Sequence, residues 1–489
     1  MEKWLIIIFF IVLSLLLAAT GVAYRKKSST LFGFIAADRS FSFFTGASSS
    51  YSSVICGYAC LVLMYFAYFG GTDGAQTAIF YGAALTIGMF LSWRFIGRRL
   101  RVYSELSSNT VTLPSFLESR FKDKTSTIKI VSSSAIGLFS CVYCSFMFTA
   151  CAQLFSAAVR CSYSVALLIC TVAVMIYLVF GGFFASVFTD VLQGFIFLIV
   201  IFFLPVYLFD NLDAGSRLLF ENEFLQTLNL FKNGENFGIN AFNSVFMMFG
   251  CFGLPMLFSR FVAMKDKKQI KRAKRFSPFP VAVCVILVVV IGLFLRQFPV
   301  MESKNAAVIL CGAITDPFMK ALTVSALLAA IMSASDSMLI LMASVVGNDI
   351  YPLFRKKAGD EEKVTVARAA TVVLTFCVCL ISLESEVDIF SRLIQGFSGF
   401  ASAFAPVLFF SLYSRRITLR AAVASIITGT LSTVILWFVP FPVTWIMPFC
   451  VCMILSTIVL WLVTLFDRKR PEKDILNEFS RVNEIMKLR

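Results

Sequence analysis

Two acids stand deep in apolar sequence. Asp190 lies in GGFFASVFTDVLQG, Gly181 to Gly194, and Asp336 in SALLAAIMSASDSMLILMASVVGNDIY. On a helix, Ser186 and Gln193 fall on the face of Asp190, at i−4 and i+3. Ser333 and Ser337 flank Asp336 at i−3 and i+1 and are four apart, so three oxygen-bearing side chains share one stripe. Carboxylates and hydroxyls on two facing helices suit a hard monovalent cation, which prefers oxygen ligands. Two carboxylates meeting at one ion in a low dielectric repel, and one then binds a proton instead. Sodium and proton chemistry therefore both stay open from these residues alone.

The elements that position them are membrane helices. Of the 489 residues, 59% are hydrophobic and 15% charged, against about 25% charged in a typical soluble domain. Apolar runs of roughly 20 residues recur along the chain, each long enough to cross a bilayer as a helix. The sequence predicts an all-α polytopic membrane protein with about thirteen spans; 163–180 and 185–209 are the fifth and sixth. Alternate loops hold 34 of the 43 Lys and Arg, which places them inside and predicts an N-out, C-in topology. Arg260 is read as lying near a membrane edge. The first span is a retained helix, because its basic cluster Arg25-Lys26-Lys27 follows the apolar core instead of preceding it.

Other function classes fall away. The basic residues are short loops flanking helices, so nucleic acid is not an expected partner. The chain has no His, and Cys141 and Cys144 have no second pair to complete a zinc site. The outer loop 210–240 and the tail from 467 are each too short for a catalytic domain, so an enzyme is not expected. No obligate protein partner is evident, and the partners expected are a small-molecule solute and the lipid bilayer.

Two spans carry the marks of interruption. FFTGASSSYSSVICGYACLVLMYF has a small, polar middle from Ser48 to Gly57. FNSVFMMFGCFGLPMLFSRF has Gly250, Gly253 and Pro255 within six residues. Irregular backbone at membrane depth must line a protein or water-filled cavity. The two segments are five spans apart, the spacing of inverted repeats with a site between their broken helices.

These segments resemble the sodium:solute symporters, and among them the bacterial sodium/proline symporters. GGFFASVFTDVLQG is similar to that family's Gly-Gly-x-x-Ala-Val-x-x-Thr-Asp-x-x-Gln signature, and TVTLPSFLESRF, Thr110 to Phe121, to its cytoplasmic loop. LLAAIMSASDSMLILMASVVGNDIY resembles its sodium-site helix; FGLPMLFSRFVAMK and GFASAFAPVLFFSLYSRRIT fit further segments. The likeness covers roughly residues 30 to 470. It implies a leucine-transporter-like 5+5 inverted repeat and cotransport of a small solute with Na+, with H+ as the alternative coupling ion. It implies a sodium site at Ser52, Ile55, Ala330, Ser333 and Ala334, where alanine replaces a hydroxyl and Val54 stands where proline carriers have an acid. A second cation site matches Asp190, Ser333, Asp336 and Ser337. The solute pocket matches Tyr58, Tyr143 and Met247, with Leu254 where proline carriers have Gln. From their place in the spans, Phe252, Gln76, Gln395 and Ser398 are further lining candidates.

The expected organisation follows. Residues 1–43 form an extra N-terminal helix and cytoplasmic loop, 44–209 a first five-helix repeat and 210–240 an outer loop. Residues 241–412 form the second repeat, 413–466 two C-terminal helices and 467–489 a cytoplasmic tail. The expected activity is symport in the cell membrane of proline or a related amino acid. Pantothenate, choline or a short carboxylate are the alternatives, and a transport-poor solute sensor the alternative class.

Overall fold

The computed structural model describes residues 2–228, 234–298, 303, 305–385, 389–439, 447–467 and 473–487. Parts of the expected outer loop 210–240, of the segment 413–466 and of the tail lie outside them. Among the described residues the only β-contact is one parallel bridge between Phe41 and Met264. Everything else is helix or short connection, as lipid requires of a chain that must satisfy its own backbone groups.

In chain order the main helices are α1 (Glu2–Tyr24), α2 (Phe43–Phe69), α3 (Asp73–Leu106), α4 (Thr127–Val159) and α5 (Tyr163–Asp210). Then come α6 (Phe237–Gly253) and α7 (Pro255–Ala263), bent by 50° at their junction. They are followed by α8 (Lys267–Phe276), α9 (Pro278–Leu295), α10 (Pro317–Phe354) and α11 (Asp360–Ile381). The last are α12 (Leu393–Tyr413), α13 (Leu419–Phe438), α14 (Pro448–Phe466) and α15 (Lys473–Lys487). Among the described residues, eleven stretches are long and apolar enough to cross a membrane, and the bent pair α6/α7, counted as one span, makes a twelfth.

α5 runs for 48 residues, about 72 Å at 1.5 Å per residue, more than twice the thickness of a bilayer core. It is divided at Gly182, where φ 53° and ψ −145° leave helical space. Only glycine adopts that backbone readily, and a Cβ there would lie 2.6 Å from the Phe34 ring. The two spans expected here meet at this single residue instead of across a loop.

α10 is the axis of the molecule. Its most apolar window is wholly buried, wrapped by α1, α2, α4, α5 and α11. α1 lies against α5 and α10, while α11, α13 and α14 are each buried over only a third of their most apolar windows.

The two expected interruptions differ in kind. Cys251–Gly253 is a tight turn, Leu254 is extended at φ −73° and ψ 112°, and Pro255 opens α7. Gly253 is required there, since a Cβ would stand 2.6 Å from both Ala405 N and Phe400 O. The Ser48–Gly57 segment does not unwind. It stays helical but is widened by a π-type turn, Ser52–Cys56, with a second, Ala59–Leu63, just beyond it. It contains no proline, and close packing on α10 supports it: a Cβ on Gly57 would meet Ala334 Cβ at 3.1 Å.

Candidate cation and solute site

α2, α5, α7 and α10 bring one polar network to the centre of the bundle. Ser52, in the first π-type turn of α2, shares a 2.8 Å hydrogen bond with Ser333 on α10. The Ser333 hydroxyl donates to Asp190 Oδ1 at 2.5 Å, and Ser49 donates to Asp190 Oδ2 at 2.6 Å. Ser52, Ile55, Ala330, Ser333 and Ala334 are all fully buried at this contact between α2 and α10.

Asp190 does not stand alone. Arg260 of α7 donates from Nη2 to Asp190 Oδ2 at 2.8 Å, with neither side chain exposed. Its Nε reaches Ser49 Oγ at 3.1 Å, Nη1 reaches Met256 O at 3.1 Å, and Nη2 also reaches Ser337 Oγ at 2.5 Å. The guanidinium also lies 5.4 Å from the centre of the Phe183 ring. Arg260, read from the sequence as lying near a membrane edge, is fully buried inside the bundle. It is the cation of the buried network, carried inward because α7 starts at the Leu254 break. A lone arginine inside an otherwise apolar span was the signal for it, since such residues are rare and paired.

Asp336 occupies the far side of the network. Tyr177 donates to its Oδ2 at 2.9 Å, and Thr189 reaches the same oxygen at 3.3 Å. Ser186 and Ser337 reach Oδ1 at 3.3 and 3.2 Å. The four residues expected around a second cation, Asp190, Ser333, Asp336 and Ser337, thus join one connected cluster, with Arg260 seated between Asp190 and Ser337. Spacing along α5 pointed to Ser186, whereas Ser49 comes from α2 and Tyr177 from the part of α5 before Gly182, and neither had a sequence signal.

The solute candidates separate into groups. Tyr58 and Tyr143 both converge on the start of α12. The Tyr58 ring lies 6.0 Å from that of Phe397, and a Cβ on Gly396 would touch Tyr143 at 3.2 Å. Met247 is buried on the last turns of α6, and Gly250 packs on Phe397 and Ala401. Phe397 thus joins this group, a residue the sequence reading passed over. Phe252 stacks on Phe409 at 5.7 Å, further along α12. Gln76 points to the Gln226 carbonyl at 3.5 Å. Gln395 and Ser398 line a different cavity of about 220 Å³, with Thr433, Trp437, Phe449 and Cys452.

Two sequence motifs also meet. Thr112 caps the short helix Leu113–Phe121 and donates to Asp349 Oδ1 at 2.9 Å, at the end of α10. Arg120, fully buried, donates to Ser411 O at 2.9 Å and Ser414 O at 3.2 Å.

Comparison with known proteins decides the family. The Sodium:solute symporter family profile matches residues 34–429. The chain belongs to the sodium:solute symporter family. It is 29% identical over 436 residues to the osmoregulated proline transporter OpuE of Bacillus subtilis, covering 85% of this chain and 87% of that one. It is 28% identical over 433 residues to the sodium/proline symporter of Escherichia coli, covering 85% and 84%. Among solved structures it superposes on a Na+-coupled sialic acid symporter with TM-score 0.81 at 15% identity, covering 95% and 98%. MhsT, solved with L-phenylalanine, superposes with TM-score 0.51 at 12% identity, covering 86% and 97%. These likenesses show a leucine-transporter-like fold, and this symporter-family chain is a multi-pass carrier of the plasma membrane, not an enzyme.

Proposed function

We propose that this protein takes up a small organic solute, proline or a related amino acid, driven by sodium. The observation that carries the reading is the direct contact of Ser52 with Ser333 between α2 and α10, beside the buried aromatics Tyr58 and Tyr143. A sodium ion there would be held by oxygens of Ser52, Ile55, Ala330 and Ser333. Asp190, Ser333, Asp336 and Ser337 form the second cation site. The curated relatives named as proline transporters support the solute. Tyr58 and Met247, where proline carriers have Trp, keep pantothenate, choline and short carboxylates as alternatives.

Counting α5 as two spans divided at Gly182 gives thirteen, with the N-terminus outside and the C-terminus inside. The ion and solute together favour an occluded and then an inward-open state, each shifting the equilibrium only by its differential affinity. The bend at Gly253–Pro255 is the hinge.

A second reading rests on Asp336, whose hydrogen-bond donors among the described residues are the hydroxyls of Tyr177, Ser186, Thr189 and Ser337 and not a cation. A proton on Asp336 in place of a second sodium fits that environment. The test is uptake of labelled L-proline into proteoliposomes under an inward sodium gradient, and under a proton gradient alone. Sodium-driven uptake supports the first reading and proton-driven uptake the second. Absence of uptake with both removes proline as the solute.

A further inference from the structure

A cavity of about 820 Å³ opens between the end of α3 and the start of α8, away from the central network. Arg98, Lys265, Lys267, Lys268 and Lys271 line it, with the buried Arg101 behind them. Its two acids are already engaged. Glu105 pairs with Arg101 at 2.7 Å, and Asp266 caps α8 by accepting from Gln269 N at 2.8 Å. None of the five lining cations takes part in an ion pair among the described residues. With six cations against two acids, the cavity presents a concentrated, net positive field, which a loop needing only an inside bias does not require.

The surroundings of the cavity identify the ligand. α8 buries Ile270 and Ala273 and ends at Phe276, whose ring packs on Phe43 and Phe44 at 6.0 and 5.5 Å. Phe44 and Phe279 are 47% and 68% exposed, and α9 starts its apolar run at Pro278. The helix that supplies Lys267, Lys268 and Lys271 to the cavity thus ends in an aromatic cluster where the apolar run of α9 begins. Basic clusters next to a membrane helix attract anionic lipid headgroups. We propose that this cavity binds the phosphate headgroup of an anionic phospholipid, whose acyl chains lie along Phe44, Phe276 and Phe279.

The position gives such a lipid leverage on the carrier. The inner ends of α2 and α7 are tied together at the back of the cavity. Phe41 N donates to Ala263 O at 3.2 Å, Lys265 N to Phe41 O at 3.0 Å, and Arg101 Nε to Met264 O at 2.8 Å. Phe43 N also donates to Gln269 Oε1 at 3.0 Å, linking α8 to the start of α2.

The proposal does not depend on which solute or ion is carried, and its test uses neither. The full-length protein is delipidated in detergent and titrated with phosphatidylglycerol, phosphatidylcholine or inorganic phosphate, with bound lipid read by native mass spectrometry and unfolding by a thermal shift. Phosphatidylglycerol is expected to bind and stabilise the wild type, and phosphatidylcholine to do neither. The triple variant K267Q/K268Q/K271Q is expected to lose phosphatidylglycerol affinity on the order of a hundredfold. The variant R355Q/K356Q/K357Q removes the same charge from another loop and is expected to retain wild-type affinity. Equal phosphatidylglycerol affinity in wild type and K267Q/K268Q/K271Q overturns the proposal. So does equal loss in both variants, which reports bulk charge. Inorganic phosphate stabilising the wild type as well as phosphatidylglycerol does overturns the lipid as ligand.

Discussion

At the scale of residues, the decisive feature is a carboxylate whose partner is built into the protein. Asp190 and Arg260 are both fully buried and joined at 2.8 Å. Removing one partner of such a pair leaves an uncompensated buried charge, which typically costs about 3–5 kcal/mol. D190N and R260M are each expected to lower stability by about that amount, while D190N/R260M costs far less than their sum. Unfolding of the detergent-solubilised variants checks this, and strict additivity would refute the coupling. The proposed sodium site offers a cleaner probe, because Ala334 stands where the resembling carriers have a hydroxyl. A334S adds one ligand oxygen and is expected to lower the apparent sodium constant several-fold, about the net value of one hydrogen-bond-sized contact. S333A removes one and is expected to raise that constant by roughly tenfold. Sodium-dependent uptake with both constants unchanged would show that cation coupling does not pass through this pair.

At the scale of elements, one glycine and one aromatic hold the architecture. Gly182 lets α5 turn at a single residue, with φ 53°. G182A is expected to cost about 1–3 kcal/mol of strain before its clash with Phe34 is counted. A wild-type melting temperature in G182A would mean that the break needs no glycine. The amphipathic helix α15 docks by Phe479, which is surrounded by the guanidiniums of Arg99, Arg415 and Arg120 at 4.9, 5.3 and 5.9 Å. Glu478 pairs with Lys122 and Arg99 donates to Asn483 at 2.7 Å, so α15 fastens α3 to the loop before α4. F479A is expected to lower stability by about 3 kcal/mol and to expose α15 to limited proteolysis. Proteolysis no faster than in the wild type would count against a docked tail. The break before Pro255 was legible because Gly, Gly and Pro at that spacing force irregular backbone. The widened helix at Ser52 was not, because small polar residues permit an unwound segment and a π-type turn equally.

At the scale of the whole molecule, the amino-acid sequence by itself determined that this chain lives in a bilayer as helices. Continuous apolar runs leave no other way to satisfy the backbone, and the scarcity of charge leaves no soluble core. It also determined the family, through the Asp190 and Asp336 segments and the Thr110–Phe121 loop, and with it the fold. Those are properties of composition and local spacing. Only the tertiary structure decided which charges meet. Arg260 is 70 positions from Asp190 and looked like an edge residue, yet the bend at α7 drives it against α5 and α10. Tyr177 reaches Asp336, and Phe397 reaches Tyr58, because helices far apart in the chain pack side by side. Gln76 and Gln395 were lining candidates from their place in the spans alone, and in the fold Gln76 faces the Gln226 carbonyl while Gln395 lines a cavity with Trp437 and Phe449. Hydropathy reports how deep a residue lies. Packing alone fixes which way it faces and what it touches.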